Sequence, residues 1–515
     1  MKSISDIRVG DVDAKNEVLH DLRTGDDYFE RSFFINKNFK LDEFEKGIKC
    51  FVIGSKGSGK TAFLRYLKKQ EEKKGGLTDF ILFRSEITEQ DKIEANRAGV
   101  TQIEFHPESK AFLGVDTDYR SYWKWFILER IYKVILKNEV NADISLSEFC
   151  KYMMEIDGNN TDSLFDRIRG GKMKVDAKLA AVQFSIETKD TKQPVDVEVS
   201  TLAKKALQYL IQAKESLNKD ITIFIDELEL CKKTEDQYKR DIRLIGDLVL
   251  TTENLNRELA EAGILNIKTI CAIRSEVLKA SASIGYELMK PVEDQGLYLD
   301  WHSTTDNTDV HPLFRLMLKK ISPDEYNEFS DDADKVNEAL IKYFPDNRAD
   351  VGHSLKYFTN YTFYRPRDVV RLLKCAAEKS PDSENYSVSV LKKGLSQYSE
   401  LIWDEIREEL AASYTAQEIS SIKKLLSGFK QYFVLHELKE LAERKACHDG
   451  TLSNLLATKT LDGILSDMFR IGLVGNKYKM GRYLHLRWSY RGDDKLIFTE
   501  NMMLHNSVVR ALDLG

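Results

Sequence analysis

The sequence predicts an α/β protein in which a parallel β-sheet is flanked by helices, followed by a helical region and a smaller C-terminal domain. Three observations predict this class. A short apolar run at 49–53 leads into a glycine-rich loop and then into a helical stretch. A second apolar run, at 220–230, ends in acidic residues. Further apolar runs at 266–273 and 296–302 follow helical or variable stretches, and strands that alternate with helices are typical of a parallel sheet.

The composition excludes several classes of protein. Of the 515 residues, 42% are hydrophobic and 31% charged, which is typical of a folded, soluble chain. No apolar run approaches the roughly 20 residues that cross a bilayer, and the charged N-terminal segment does not resemble a secretory signal, so we expect a cytoplasmic protein without membrane contact. The cysteines and histidines lack ligand spacing, so neither zinc nor disulfides are expected. A net charge of −6 excludes a uniformly basic surface.

The glycine-rich loop carries the clearest functional signal. Its residues are Gly54, Ser55, Lys56, Gly57, Ser58, Gly59, Lys60 and Thr61. Glycines let the backbone N–H groups turn inward, and the following helix adds the positive end of its dipole, so main-chain donors can hold a phosphate chain. Lys60 is expected to reach the β- and γ-phosphates, and the Thr61 hydroxyl to bind Mg²⁺. The sequence therefore predicts a P-loop NTPase core that binds Mg-ATP.

Two adjacent carboxylates, Asp226 and Glu227, end the second apolar run. At the carboxyl end of a strand beside the loop, Asp226 is expected to hold Mg²⁺ through its water shell, and Glu227 to orient or deprotonate the attacking water. Glu229 is the alternative if the register is shifted. Arg274 ends the strand at 266–273 and is a candidate sensor of the γ-phosphate; the alternative is a surface arginine that caps the strand.

The long separation between loop and acids predicts an insertion. Lys60 and Asp226 lie 166 residues apart, whereas a minimal sheet needs roughly 50–80. We expect the insertion at about 100–200. Within it, 118–137 places aromatic and aliphatic residues on one helical face, which we interpret as core rather than a partner surface. The segment 175–199 alternates like a β-hairpin and is a candidate docking arm.

Seven segments together resemble a known class of ATPase. They are GDVDAKNE (10–17), GSKGSGKT, IFIDELE, CAIRSE, YLDWH, FYRPRDVVRLL and WSYRGD. The chain resembles the additional-strand P-loop ATPases related to the AAA+, STAND and KAP groups, and in particular a bacterial family usually labelled as DNA-repair or defence ATPases. The resemblance covers most of the chain. It implies an ATPase core, a helical lid, an appended module, and a change of assembly or partner binding with the nucleotide.

The resemblance also assigns roles to arginines of the lid. Pro366 is placed like the first residue of a helix. In AAA+-like lids an arginine at such a position reports on the γ-phosphate, so Arg367 is the candidate, with Arg365 second. The alternative is an Arg–Asp pair that stabilises the helix start. In a homo-oligomer, which we expect, a neighbouring subunit would supply a further arginine. The candidate donors are Arg240, Arg243 and Arg315.

The C-terminal region suits a winged helix. Predicted helices at 416–431, 435–446 and 461–470 precede a hairpin at 472–490. Between residues 470 and 491 the chain has no acidic residue, and aromatic residues interleave with basic ones that are candidates for nucleic-acid contact. These are Arg470, Lys477, Lys479, Arg482, Arg487 and Arg491. The alternatives are a protein contact, or a hairpin whose aromatics cover its own helices.

The predicted organisation has four parts: a lead-in at 1–48, the P-loop core at 49–302, a helical lid at 303–415 and a winged-helix-like domain at 416–515. The leading hypothesis is a Mg²⁺-dependent ATPase that couples hydrolysis to assembly or conformational change on nucleic acid, with DNA favoured, in bacterial DNA repair or antiphage defence. The competing hypothesis is a nucleotide-gated scaffold or sensor that hydrolyses ATP negligibly and holds an effector protein.

Overall fold

The computed structural model describes residues 3–98, 119–138, 144–157, 167–169, 172–184, 193–230, 234–301, 310–345 and 358–514. The chain divides into two compact units. The sheet unit comprises Lys37–Gly54 and Lys60–Leu299, and the terminal unit comprises Met1–Asn36, Ser55–Gly59 and Asp300–Gly515. No helix of the described segments has both the length and the apolar character that crossing a membrane requires.

The strands in the described segments are β1 (Phe51–Gly54), β2 (Leu77–Leu82), β3 (Ile168–Arg169), β4 (Lys172–Val175), β5 (Val195–Glu198), β6 (Ile221–Leu228), β7 (Ile267–Arg274), β8 (Gly296–Tyr298), β9 (Tyr432–Phe433), β10 (Val474–Met480), β11 (Tyr483–Arg487) and β12 (Met502–Leu504).

The α-helices there are α1 (Ala14–Thr24), α2 (Tyr28–Arg31), α3 (Leu41–Glu45), α4 (Lys60–Lys73), α5 (Phe83–Glu86), α6 (Glu89–Ala98), α7 (Arg120–Lys137), α8 (Ile144–Asp157), α9 (Ala177–Phe184), α10 (Val199–Gln212), α11 (Glu235–Glu261), α12 (Ser275–Ser283), α13 (Met289–Gln295), α14 (Pro312–Ile321), α15 (Pro323–Phe329), α16 (Ala333–Tyr343), α17 (Pro366–Lys379), α18 (Val388–Leu410), α19 (Ala416–Leu426), α20 (Leu435–Ala446), α21 (Gly450–Thr458) and α22 (Leu461–Arg470).

A five-stranded sheet, with the order β2-β6-β7-β1-β8, forms the centre of the sheet unit. Its described pairings are all parallel, and its central strands are almost fully buried, as expected when helices cover both faces. The predicted α/β class is therefore confirmed. Strand β7 lies between the acidic strand β6 and the loop strand β1. The strand predicted at 296–302 is the short β8, which pairs with β1; His302 lies outside the described residues.

The loop is anchored by a strand before it and a helix after it. All residues of β1 are buried. Helix α4 begins at Lys60 and buries one apolar side, where the ring of Phe63 lies 5.3 Å from that of Phe39 and 5.2 Å from that of Phe44. Burial of both flanking elements fixes the direction in which the chain enters and leaves the loop.

The inserted region adds a second layer of core to the sheet unit. Helix α7 buries its aromatic side chains, and Trp123 Nε1 donates a hydrogen bond of 2.8 Å to the carbonyl of Leu244 in α11. The interpretation of this face as core is confirmed. The hairpin predicted at 175–199 was wrong, because α9 occupies part of its first half. Strand β5 does pair antiparallel, but with β4, of which only Val175 belongs to the predicted segment. Lys192 of the expected turn lies outside the described residues.

The terminal unit contains the helical region and a second sheet. Helix α17 begins at Pro366, as predicted, with Arg365 as its N-cap residue. It packs so closely on α18 that a Cβ at Gly394 would lie 2.7 Å from the backbone nitrogen of Ala376. Helices α20 and α22 and the β10–β11 hairpin also follow the prediction. The helix predicted at 416–431 ends instead at Leu426, because the chain turns into β9, which joins the sheet β11-β10-β12-β9.

Gly296 offers a direct test of packing in the sheet unit. A Cβ there would lie 2.1 Å from the carbonyl oxygen of Val292 and 2.6 Å from Cδ1 of Ile53, and a backbone carbonyl cannot move aside cheaply. We expect Gly296→Ala to lower the free energy of unfolding by about 1–3 kcal/mol, measured as a lower thermal midpoint. The matched control is Gly450→Ala, where a Cβ meets nothing within 4 Å. Equal midpoints for Gly296→Ala and the wild type would contradict this packing.

Candidate functional site

Residues at the start of α4 meet the acidic end of β6 within the sheet unit. Lys60 is buried and its Nζ donates a hydrogen bond of 2.9 Å to the carbonyl of Gly54. The side chain of Thr61 donates a hydrogen bond to the Asp226 carboxylate. The structure therefore brings together the three residues predicted to hold Mg-ATP, although β7 lies between β6 and the loop strand β1.

Asp226 is the most constrained residue of this group. Its exposed fraction is 2%, and its Oδ1 accepts a hydrogen bond of 2.7 Å from the backbone N–H of Glu227. Its buried Oδ2 accepts none from the described part of the chain. Burial raises the pKa of Asp226, against the opposing effects of the Thr61 hydrogen bond and the Lys60 charge. A buried carboxylate oxygen that lacks a donor fits a hydrated divalent cation.

Glu227 lies on a distorted stretch of β6. Its backbone φ is +63°, in the left-handed region, and the pairing of β6 with β7 is irregular between Ile225 and Leu228. Such conformations cost about 1–3 kcal/mol in non-glycine residues and cluster at functional sites. Oε2 of Glu227 accepts a hydrogen bond of 3.4 Å from the Ser85 hydroxyl. Sequence analysis missed Ser85; the apolar run of β2 just before it was the available signal.

Arg274 is held by two carboxylates at the end of β7. Its guanidinium donates to Glu229 and, at 3.2 Å, to Glu276. Burial would raise the pKa of Glu276, but the charges of Arg274 and Lys60 hold it below its ordinary value. Glu229 also pairs with Arg84 at 3.1 Å, so this alternative to Glu227 is engaged by two arginines. Glu276 is a further residue of the site that sequence analysis did not single out.

The tip of the loop, residues 55–59, belongs to the terminal unit. Gly57 and Gly59 have φ values of +82° and +98°, which only glycine adopts readily. Trp301 Nε1 donates a hydrogen bond of 2.8 Å to the carbonyl of Ser58. The hydroxyl of Ser58 is buried and has no hydrogen-bond partner among the described residues. The predicted turning of the loop is thus present at both glycines.

The FYRPRD segment contacts the loop tip within the same unit. Arg365 Nη1 donates a hydrogen bond of 3.1 Å to the carbonyl of Lys56. The backbone N–H of Arg367 donates a hydrogen bond of 3.4 Å to the carbonyl of Gly57. A Cβ at Gly57 would lie 3.3 Å from Cβ of Arg367. Arg365 also forms two hydrogen bonds with Asp368, of 2.8 and 3.3 Å. The Arg–Asp pair at the helix start is therefore present together with the loop contact.

Glu405, which sequence analysis did not single out, lies at the centre of these cations. Its Oε2 accepts a hydrogen bond of 2.6 Å from Arg371. Its Oε1 lies 3.6 Å from Nη1 of Arg367, 3.9 Å from Nη1 of Arg365 and 3.9 Å from Nζ of Lys56. Burial would raise the pKa of Glu405, but these four positive charges lower it to about 2.

All three arginines predicted to act in a neighbouring subunit have partners within their own chain. Arg240 pairs with Glu89 at 2.6 Å and with Asp241 at 2.8 Å, and it is buried. Arg315 donates a hydrogen bond of 2.8 Å to the carbonyl of Ser330. Arg243 lies on α11 and is half-buried.

An aromatic cluster joins the FYRPRD and WSYRGD segments within the terminal unit. The ring of Phe363 stacks on that of His505 with centroids 4.1 Å apart, and the Tyr490 ring meets Phe363 edge-on at 5.5 Å. Arg491 donates a hydrogen bond of 3.3 Å to the Tyr364 hydroxyl. The end of the basic hairpin is thus packed against the residues that precede Arg365.

Four of the six candidate nucleic-acid contacts are engaged near the base of the hairpin. Arg470 pairs with Asp467, and Arg487 with Asp493 at 3.5 Å. Lys477 lies over the Tyr432 ring at 4.3 Å, and Arg491 contacts Tyr364 as described. Trp488 and Tyr490 belong to the aromatic cluster, where their rings contact each other and His505.

The tip of the hairpin differs from its base. Lys479 and Arg482 are exposed, and neither forms an ion pair with any described residue. Three apolar or aromatic side chains beside them are also exposed: Met480 by 62%, Tyr483 by 76% and Leu484 by 55%. Basic charge and exposed aromatic surface therefore coincide at residues 479–484, which we call the hairpin tip.

Comparison with known proteins gives no closer identification. No family model and no curated protein matches the sequence. Among solved structures, the chain is similar to the Orc1 protein of Aeropyrum pernix in complex with DNA, with 13% sequence identity and a TM-score of 0.34, over 95% of this chain and 94% of that one. Similarity at this level carries no functional argument, so the interpretation of the site rests on its own geometry.

His505 makes the aromatic cluster sensitive to acid. Burial, with the charges of Arg365 and Arg491, lowers the pKa of His505 from 6.5 to about 3. When the pH lies between these two pKa values, His505 is neutral in the folded chain and protonated in the unfolded chain. The free energy of unfolding therefore falls as the pH falls through 6.5. At pH about 5.5 the free energy of unfolding is lower by about 1.4 kcal/mol. We expect His505→Phe to lose less thermal stability than the wild type on transfer from neutral pH to this pH.

The matched control is His448→Phe, since His448 is exposed. His505→Phe also removes the acceptor of the Ser507 N–H hydrogen bond, but that loss acts equally at both pH values. Equal pH sensitivity of His505→Phe and the wild type would contradict a buried neutral His505.

Proposed function

We propose that the chain is a Mg²⁺-dependent ATPase that couples its nucleotide state to assembly or conformational change on nucleic acid, with DNA favoured. The observation that carries the proposal is the hydrogen bond between Thr61 at the end of the glycine loop and the buried Asp226, with Glu227 adjacent. A role in DNA repair or antiphage defence is supported by the sequence resemblance alone.

The donor set fits a nucleoside triphosphate with Mg²⁺. The hydroxyl of Thr61 and the unpartnered Oδ2 of Asp226 are oxygen ligands of the kind that Mg²⁺ prefers, directly or through water. Lys60, beside them, supplies a positive charge for the terminal phosphates. By the sequence pattern, the glycine loop would supply backbone N–H groups to the phosphate oxygens. When bound, Mg²⁺ would neutralise phosphate charge as it develops in the reaction.

Glu227 is the proposed general base for hydrolysis. Its carboxylate would accept a proton from a water molecule as the water oxygen bonds to the γ-phosphorus. The bond from that phosphorus to the β–γ bridging oxygen then breaks, and ADP and inorganic phosphate are released. Ser85 donates a hydrogen bond to the Glu227 carboxylate at the carboxyl edge of the sheet. We therefore propose that Ser85 orients Glu227.

Arginines are the proposed sensors of the γ-phosphate. In the sheet unit this role is proposed for Arg274, which ends β7 beside Glu276. The same role for Arg367, with Arg365 second, is proposed from the sequence resemblance. If the protein assembles as a homo-oligomer, the candidates for a residue acting in the neighbouring subunit stay Arg240, Arg243 and Arg315.

The hairpin tip is the proposed nucleic-acid contact. Lys479 and Arg482 would hold phosphates, and Tyr483 would stack on a base or sugar. The other basic residues of the hairpin form contacts within the chain. The proposed nucleic-acid contact is therefore assigned to the hairpin tip.

Substitutions in the loop and at the acids separate nucleotide binding from hydrolysis. We expect Lys60→Ala to abolish ATP binding, because the phosphates lose their nearest positive charge. Glu227→Gln should retain ATP but lower turnover by about 10²-fold or more, the range typical of a lost general base. Calorimetric titration with ATP and a phosphate-release assay measure the two effects. The matched control is Glu261→Gln, an equivalent change at an exposed position of α11.

The outcome also decides between the two hypotheses for the chain. Wild-type turnover that is stimulated by DNA and abolished in both variants supports the ATPase acting on nucleic acid. Tight ATP binding with turnover no higher than in Glu227→Gln would contradict it and favour the scaffold or sensor. Undiminished turnover in Lys60→Ala would reject the site itself.

The hairpin tip is tested by removing its charges. We expect the double variant Lys479→Ala/Arg482→Ala to weaken DNA binding about tenfold and to reduce the dependence of affinity on salt, because about two phosphate contacts are lost. The control, Lys392→Ala/Lys393→Ala, removes the same charge from exposed positions of α18. Fluorescence anisotropy with labelled DNA measures both. Equal weakening by the two double variants would show that net charge, and not the tip, is responsible.

A further inference from the structure

The β10–β11 hairpin continues past the rest of its sheet as a two-stranded ribbon. Within the described residues, β12 pairs with β10 only from Val474 to Asn476, whereas β11 pairs with β10 as far as Met480. Gly481, with a φ of +62°, and Arg482 form the two-residue turn between the strands. Residues 478–485, which we call the ribbon, are therefore two strands joined by a tight turn.

One face of the ribbon carries aromatic side chains. Tyr478 lies opposite His485, and Met480 lies opposite Tyr483. Because side chains of an antiparallel pair alternate between the two faces, these four residues share one face, which we call the aromatic face. The rings of Tyr478 and His485 stack, with centroids 5.5 Å apart and planes 20° from parallel. Met480 and Tyr483, nearer the turn, are its most exposed members.

The charge of the ribbon favours a polyanion as its ligand. Lys479 and Arg482 precede Met480 and Tyr483 in sequence, and both are exposed. Residues 470–491 contain no acidic residue. A nucleic-acid strand supplies a phosphate beside every base, so it matches a surface on which cations and flat apolar groups alternate.

The spacing along the aromatic face favours an unpaired strand over a duplex. Its two cross-strand pairs are about 7 Å apart, because an antiparallel strand rises about 3.4 Å per residue. Nucleotides of a duplex strand also rise about 3.4 Å each. A strand that places successive bases on the two pairs must therefore be unstacked to about twice the duplex spacing. The bases of a duplex, moreover, cover one another's faces and present only their edges in the grooves.

We propose that the aromatic face binds an unpaired strand of DNA by stacking on its bases, while Lys479 and Arg482 contact the adjacent phosphates. This inference rests on the proposed function, since it names the form of nucleic acid that the same hairpin holds. The rings select the unpaired form, because stacking is open only to a base whose face is uncovered, whereas the cations act on both forms.

The test is a fluorescence-anisotropy titration of the full chain with a labelled strand of about 20 nucleotides, either unpaired or annealed to its complement. It is run with and without Mg-AMP-PNP, and the condition of tighter binding is used for every variant. We expect the wild type to bind the unpaired strand at least about fivefold more tightly than the duplex. Tyr483→Ala should weaken binding of the unpaired strand about fivefold or more, and binding of the duplex less than about twofold. Tyr483→Phe keeps the ring and should behave like the wild type.

The matched control is Tyr298→Ala, because Tyr298 is also an exposed tyrosine on a strand, but lies in β8. It should leave both affinities unchanged. Leu484→Ala removes an exposed apolar side chain from the opposite face of the ribbon, and should weaken binding of the unpaired strand less than Tyr483→Ala does. Salt gives a separate readout: Tyr483→Ala should keep the wild-type dependence of affinity on salt, whereas Lys479→Ala/Arg482→Ala should reduce it.

Two kinds of negative result have different meanings. A duplex bound as tightly as the unpaired strand, or an equal loss of both affinities in Tyr483→Ala, overturns the inference and leaves the proposed contact with DNA in place. If neither form of DNA binds, or if Lys479→Ala/Arg482→Ala changes neither affinity, the proposed nucleic-acid contact itself fails, and the inference fails with it.

Discussion

The contact between Thr61 and Asp226 is the interaction on which the account of this protein depends. It joins the first turn of α4 to the end of β6 through two residues that lie 165 positions apart in sequence. In the sheet, β7 lies between β6 and β1, the strand that leads into the loop. Only the parallel order of β6, β7 and β1 places both carboxyl ends at one edge. The same edge carries the buried Oδ2 of Asp226 and the left-handed backbone of Glu227.

The terminal unit organises a second set of charges around the loop tip. Arg365 holds the carbonyl of Lys56, Asp368 holds Arg365, and Glu405 faces the cations from α18. The aromatic cluster around His505 packs against the residues just before Arg365 and against the end of the basic hairpin. One compact unit thus contains both the cations proposed to read the nucleotide and the surface proposed to contact DNA.

The sequence predicted the elements whose signals are local. The loop, the strands β1, β6 and β7, the start of α17 at Pro366 and the core face of α7 all follow from spacing, capping or periodicity. It could not predict pairings that depend on distant residues, such as Glu405 with Arg367 or Ser85 with Glu227. Short elements were also missed: α21 has nine residues, capped by Asp449, and β12 has three. The roles of the site residues and the winged-helix assignment remain predictions.

The most direct test of the central claim is a measurement of metal binding. Mn²⁺ takes the place of Mg²⁺, and electron paramagnetic resonance monitors its binding. If Thr61 and Asp226 form the cation site, the wild type should bind Mn²⁺ tightly only when ATP or its analogue is present, and Asp226→Asn should lose that binding while keeping its fold. Undiminished nucleotide-dependent Mn²⁺ binding in Asp226→Asn would contradict the account, because the buried carboxylate would then have no part in holding the metal.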